Sequence, residues 1–353
     1  MHKSVTGKIK SFYEFDLIFV AMKSVFSTNP PSFTKDETSI LLKNKFNIEG
    51  DLRELYSDRD QIFFVDNFDG KFIFKVSNAS EDFEVIDLQD KAANHIHAKD
   101  PRMNIPLRIG SIHQVEKDNT LFYIRLLRYV DGVLMSEKDL DDEICMKMGL
   151  YLGRLSNNLK DFDHPGAHRV FDWDVRQISL IAKKVNHIKS THDKNTIHHF
   201  IDQFENHIKP ISHKLNKRVI HNDGNDHNII LDMESNPVGV IDFGDMVYSY
   251  QSAEPAVCMA YVALRANDVL PSISIVLRHY NSVYKLNKFE LQAVVYLMCL
   301  RLCITVLMAS WRKKLFPDNQ YLSISEASAW KLLRMLEKQQ LADWSEQLQE
   351  DAY

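Results

Sequence analysis

Apolar and polar positions along the chain follow two different periods, and the change falls near residue 130. Thr34 followed by Glu37, with Ile40, Leu41 and Phe46 at roughly helical spacing behind them, predicts a capped helix. Gln61-Ile-Phe-Phe-Val65 and Lys71-Phe-Ile-Phe-Lys-Val76 read as strands joined across Asp69-Gly70, a good hairpin signal. A helix is expected over 82–97, and Phe122–Val130 reads as a strand ending at the Asp131-Gly132 turn. Beyond that turn the pattern becomes helical. Ile144, Met148, Leu152, Leu155 and Leu159 recur at helical intervals over 141–159, and Gly149 and Gly153 leave room for close packing. Further helices are expected over 280–307 and 326–348. Strands first and helices afterwards make this an α+β chain.

One hairpin interrupts the helical half. Asn228-Ile-Ile-Leu231 and Val238-Gly-Val-Ile-Asp-Phe243 are apolar runs joined by Met233-Glu-Ser-Asn-Pro237. Such a hairpin brings Asn228 and Asp242 together. Just before it stands His221-Asn-Asp-Gly-Asn-Asp-His-Asn228, and at its end Ile241-Asp-Phe-Gly-Asp245. An Asp followed five positions later by Asn, then an Asp-Phe-Gly, is the phosphoryl-transfer pattern of kinase-like folds. A γ-phosphate needs cations held on one side and an oriented hydroxyl on the other. In that pattern Asp223 takes the base position, Asn228 the first metal position and Asp242 the second.

These residues carry a resemblance. The stretch 221–250, with Ser57-Asp-Arg-Asp-Gln61, Tyr123-Ile-Arg-Leu-Leu-Arg-Tyr129 and Leu315-Phe-Pro-Asp-Asn319, resembles the aminoglycoside phosphotransferase family, and within it hydroxylysine kinases. The resemblance implies a bilobal protein-kinase-like fold, with a small β-rich N-lobe (30–128) and a larger, mostly helical C-lobe (129–353). Residues 1–29 precede the family-like chain as an extension. It also implies Mg²⁺, a nucleotide donor, ATP or GTP, and a small amino alcohol as acceptor: 5-hydroxylysine first, then homoserine, choline, ethanolamine or an aminoglycoside. A nucleotide-binding module without turnover is the reading from a different class. Asn222 favours it, standing where the family usually has Gly, although Asn tolerates left-handed backbone.

By the same resemblance Lys75 grips the α- and β-phosphates, although its strand position also fits an outward-facing residue. Its acid partner is expected to be Asp87 in Ile86-Asp-Leu-Gln89, with Glu84 in reserve. Ser57 and Arg59 stand where kinases place a phosphate-covering loop; Arg59 either reaches phosphate or pairs at the surface with Asp58 or Asp60. The base of the nucleotide is expected against backbone near Leu127–Tyr129. Asp245 and Glu254 are candidate acids for the acceptor's amines. Arg301 lies inside an apolar helix, so it needs either a ligand carboxylate or an internal acid such as Glu254 or Asp245. Trp173, in Phe171-Asp-Trp-Asp174, either walls the pocket or fills the core.

Composition changes this picture little. The chain has 353 residues, 45% hydrophobic and 26% charged, enough for two lobes with sizeable cores. A net charge of −5 offers no basic field for nucleic acid. Four cysteines lack metal-ligand or disulfide-framework spacing and fit a reducing, cytoplasmic compartment. The histidines between His187 and His213 form no metal motif and are expected on solvated helix faces. Phe15–Met22 is apolar but is interrupted by Asp16 and too short to span a membrane, and no signal peptide is expected.

Overall fold

A computed structural model describes residues 24–319 and 325–353. The segment Phe15–Met22 lies outside them. Helix α1 (Lys35–Phe46) starts on the expected capping box: Thr34 Oγ1 accepts from the Glu37 amide at 3.2 Å, and Glu37 accepts from the Thr34 amide at 2.7 Å. Strands β1 (Asp51–Leu55), β2 (Gln61–Asn67) and β3 (Gly70–Val76) follow, then α2 (Phe83–Lys99), β4 (Arg108–Lys117) and β5 (Thr120–Arg128). The five strands form an antiparallel sheet in the order β1-β2-β3-β5-β4. Phe63, Val65, Phe74, Ile124 and Leu126 pack under α1 as a small core of their own. β1 and β4 were not evident from the sequence. They are largely half-buried or exposed, so charged residues interrupt the alternation.

The second lobe begins with the short strand β6 (Val133–Leu134) and α3 (Asp142–Leu159), whose side-chain cap is Asp141. Helices α4 (Ile178–Lys184) and α5 (Thr191–His207) lead into β7 (Lys217–Ile220), β8 (Ile229–Leu231), β9 (Pro237–Val240) and β10 (Val247–Tyr250). β8 and β9 are the expected hairpin. Helices α6 (Ala253–Arg265), α7 (Val269–Val283), α8 (Lys288–Leu315), α9 (Glu326–Leu336) and α10 (Leu341–Ala352) complete the lobe. The close approach expected at Gly149 and Gly153 is made by α7: a Cβ on Gly149 would lie 2.4 Å from the Val276 carbonyl oxygen, and one on Gly153 2.8 Å from Val283 Cβ.

Two helix expectations need correcting. The span 280–307 is broken at 284–287, because Asn287 and Glu290 build a reciprocal capping box that starts α8 afresh. The span 326–348 likewise breaks after Leu336, in the polar run Glu337-Lys-Gln-Gln340. Helix α8 is long and apolar enough to cross a membrane, but 94% of its most apolar stretch is buried inside this lobe. Among the first described residues, Phe26 is buried in the C-lobe core, 5.7 Å from the Phe171 ring.

Candidate active site

The turn between β7 and β8 carries the catalytic loop, and buried groups fix its shape. Glu254, at the start of α6, accepts the His221 backbone N–H at 2.7 Å, and His221 Nε2 lies 3.2 Å from the Ile241 carbonyl oxygen. Asn222 adopts φ 65°, the left-handed conformation that Gly or Asn accepts most readily. The loop therefore keeps its form despite the departure from Gly. Asp223 then points into the cleft. Its Oδ1 accepts from Asn225 at 2.8 Å and from Arg301 Nη2 at 2.7 Å, and its Oδ2 accepts from Asn228 Nδ2 at 2.7 Å.

Across the hairpin, the Ile241 amide donates to the Asn228 carbonyl at 2.9 Å, which sets Asp242 beside Asn228. Asp242 itself has φ 60°, a conformation costly for a non-glycine residue that persists only when its surroundings enforce it. Arg169 is part of that enforcement. This half-buried side chain donates to the carbonyls of Gly244 at 2.6 Å and Met246 at 3.0 Å, clamping the turn after Asp242.

The cleft between the lobes encloses about 700 Å³. Of the candidate residues, all but Glu84, Asp87 and Glu254 line it. Lys75 reaches Asp60 at 2.7 Å and Asp242 at 3.8 Å. Neither Asp87 nor Glu84 is its partner. Asp87 instead binds His164 at 3.1 Å, and Glu84 is solvent-exposed. The reason is helical phase: successive residues turn about 100°, and the face of α2 toward the sheet carries Gln89 and Asp90. These take up Arg125, the neighbour of Lys75 across β3 and β5, at 2.8 Å and 2.9 Å. Asp90 also holds Arg108 at 2.5 Å. The link that kinases commonly make from lysine to this helix is made here by arginine. Asp90→Asn should therefore cost about 1–3 kcal/mol, the penalty for weakening a buried charged bond while Gln89 remains; urea unfolding would measure it.

Several placements revise expectation. Glu254 does not line the cleft; it sits beneath the catalytic loop, where burial raises its carboxyl pKa against the pull of His221. Arg59 is a buried residue rather than a surface charge, and it pairs across the cleft with Asp245 at 2.8 Å. Arg301 pairs with neither Glu254 nor Asp245 but with Asp223; its guanidinium lies 4.5 Å over the Trp173 ring and 3.4 Å from the Tyr261 hydroxyl. Near the hinge, the Arg128 and Tyr129 amides bond to the carbonyls of Leu107 and Lys71, so those donors are not open to a base. Sequence reading missed Asp60, Arg125 and Arg169. Only Arg125 carried a clear signal, a charge within the apolar strand Phe122–Leu127.

The electrostatics separate two carboxylates by role. Burial pushes the Asp223 carboxyl up to about 7; Arg301 opposes the rise and Asp245 and Asp242 add to it. A group poised there suits proton acceptance from an alcohol near neutral pH. Burial also works against ionisation at Asp242, but Lys75, Arg59 and the Gly244 amide outweigh it and hold that carboxyl at about 2. Asp242 is thus an anion half-open to the cleft. Asn228 spends its amide N–H on Asp223, which leaves its carbonyl oxygen as a ligand atom. These two oxygens fit a hard divalent cation. Among the described residues no group of three or more His, Cys, Asp or Glu gathers to hold a metal. A metal held by so few protein ligands is one that phosphate oxygens help to bind.

A family model, the phosphotransferase enzyme family (APH), matches residues 51–274. The chain belongs to that family. It is similar to a hydroxylysine kinase of Mus musculus, 26% identical over 343 residues, which cover 87% of this chain and 90% of that protein. Among solved structures it is similar to an amicoumacin kinase in complex with AMP-PNP, Ca2+ and Ami, at TM-score 0.65 and 14% identity, covering 85% of this chain and 94% of the other. A microcompartment-associated aminopropanol kinase aligns at TM-score 0.61 and 13% identity, covering 90% and 99%. The fold is the bilobal protein-kinase-like one, and this family member is a small-molecule kinase that transfers a phosphoryl group from a nucleotide to a small hydroxyl-bearing substrate.

Proposed function

We propose that the acceptor is an amino acid carrying a hydroxyl, with 5-hydroxylysine the best fit, and that the donor is ATP or GTP with Mg²⁺. One observation carries this reading: the buried guanidinium of Arg301, bonded to the base Asp223, and the half-buried carboxylate of Asp245 line the same cleft. A zwitterionic acceptor matches that pair, its carboxylate on Arg301 and an ammonium on Asp245. The Arg301 Nε has no hydrogen-bond partner among the described residues, so the guanidinium keeps a buried donor unspent. Trp173 and Tyr261 supply flat walls beside it. Choline and ethanolamine lack a carboxylate and would leave Arg301 bonded to Asp223 with no ligand anion to take up.

In this reading residues 30–128 carry the nucleotide and 129–353 the catalytic loop and acceptor pocket. Lys75 and Arg59 hold the phosphates, and Asn228 and Asp242 hold the metal. Held by these two residues, Mg²⁺ would supply positive charge to offset the negative charge that develops on the phosphoryl group. The acceptor hydroxyl attacks the γ-phosphorus while Asp223 takes the hydroxyl proton. The bond from phosphorus to the bridging oxygen breaks, and the nucleoside diphosphate leaves. The four cysteines are free and buried, which suits the cytoplasm. Retention of the base, both metal ligands and the phosphate lysine argues for turnover rather than a silent module.

Asp242→Ala and Asn228→Ala should each raise the Mg²⁺ concentration giving half-maximal activity at fixed nucleotide, because each deletes one of two protein oxygens. Curves identical to wild type would remove both residues from the metal site. The acceptor itself is tested by a panel of hydroxy amines, with and without a carboxylate, against ATP and GTP. Preference for carboxylate-free acceptors would overturn the proposed substrate.

A further inference from the structure

Arg59 and Asp245 were expected to serve different ligands, a nucleotide phosphate and an acceptor ammonium. The structure joins them to each other. Their bond, 2.8 Å long, crosses the cleft between two side chains that are only 7% and 14% exposed. Arg59 reaches Asp245 by lying flat over Gly244: a Cβ on that glycine would stand 2.2 Å from Arg59 Nη2. The Phe26 ring lies 5.3 Å from the guanidinium carbon, and Asp60, Glu81 and Asp242 add their charges to that of Asp245 around it.

The backbone that carries Arg59 is pinned on both sides. Arg312, on α8, binds the Asp58 side chain and donates to the Asp58 carbonyl at 3.1 Å. Asn78 donates to the Arg59 carbonyl at 3.0 Å through its side chain and to Asp60 at 2.8 Å through its amide. Release of Asp245 is therefore a swing of the Arg59 side chain, not a movement of the loop. Lys75 and Asp242 mark where the phosphates and metal sit, and Asp242 already acts on Arg59, so a phosphate there is within its reach.

We propose that Arg59 masks Asp245, so that the acceptor's ammonium docks only after a nucleotide phosphate has drawn the guanidinium away. This rests on the reading of the acceptor as an amino alcohol. The consequence is ordered addition, nucleotide before acceptor. Because the coupling is a binding free energy, it is reciprocal: each ligand tightens the other by the same factor. The device also keeps a buried carboxylate from standing unpaired in the empty enzyme.

The test is calorimetric titration of the full chain with 5-hydroxylysine, alone and with Mg²⁺ and the non-hydrolysable imido analogue of ATP or GTP. In the wild type the analogue should tighten hydroxylysine binding by about tenfold or more, a coupling in the usual range, and the reverse order should give the same factor. In Arg59→Met the nucleotide-free enzyme should bind hydroxylysine more tightly than wild type does, with the factor close to one. Gly244→Ala, which displaces the guanidinium without deleting it, should also shrink the factor and serves if the first variant does not fold. Hydroxylysine binding that ignores nucleotide in the wild type, or a full factor persisting in the variants, would overturn the masking role and leave the substrate assignment standing. No hydroxylysine binding by any form, with or without nucleotide, would overturn the substrate assignment and this inference with it.

Discussion

Asp223→Asn should lower turnover by about 10²–10⁴-fold, the usual worth of a positioned general base, with nucleotide affinity close to wild type. The amide keeps the shape of the carboxylate and leaves one oxygen, which can accept from Asn225 and Arg301 as Oδ1 does, while the bond from Asn228 to Oδ2 loses its acceptor. The ability to take the hydroxyl proton is lost. Lys75, Arg59 and Asp242 are untouched, which is why phosphate binding should survive. Turnover measured at saturating nucleotide, beside nucleotide affinity measured directly, separates the two effects. Unchanged turnover would remove Asp223 from the base role.

Arg301→Met should abolish discrimination between an amino-acid acceptor and its decarboxylated analogue. A buried charge-assisted pair is worth about 2–5 kcal/mol when one partner is deleted, roughly 30- to several-thousand-fold in affinity. Wild type should show that preference for hydroxylysine over the amine lacking its carboxylate, and the variant should show almost none. Methionine suits the apolar helix α8 and roughly preserves volume, so folding is expected to survive. Because Arg301 also touches Asp223, the variant should lose some turnover on both acceptors alike. The ratio between acceptors, not the absolute rate, is therefore the readout. A wild type indifferent to the carboxylate would make Arg301 a support for Asp223 alone.

The catalytic loop was legible because its chemistry is written in short range. Asp223, Asn228 and Asp242 sit on one loop and one hairpin, and the hairpin's apolar alternation fixes how its ends meet. The capping boxes at Thr34 and at Asn287 are equally local, yet the second was hidden by the strong apolar run of α8. Pairings between distant elements were not legible. Which face of α2 meets the sheet depends on helical phase, and the acid on that face is Asp90, three residues beyond the expected Asp87, where it serves Arg125 rather than Lys75. The partner of Arg59 depends on how the lobes close and that of Arg301 on how α8 packs against the catalytic loop, and each found an acid of the active site itself. Glu254, expected among the acceptor-binding acids, lies instead beneath the catalytic loop, where it accepts the backbone N–H of His221.

The measurement that bears most directly on the whole account is stoichiometric. Purified enzyme, Mg²⁺ and ATP or GTP are incubated with 5-hydroxylysine, and nucleoside diphosphate release is compared with the phosphorylated product identified by mass and ³¹P resonance. One phosphate ester on the hydroxyl carbon for each nucleotide consumed, lost in Asp223→Asn, is the predicted result. Nucleotide consumption without ester formation, or no acceptor-dependent turnover with either nucleotide, would contradict it.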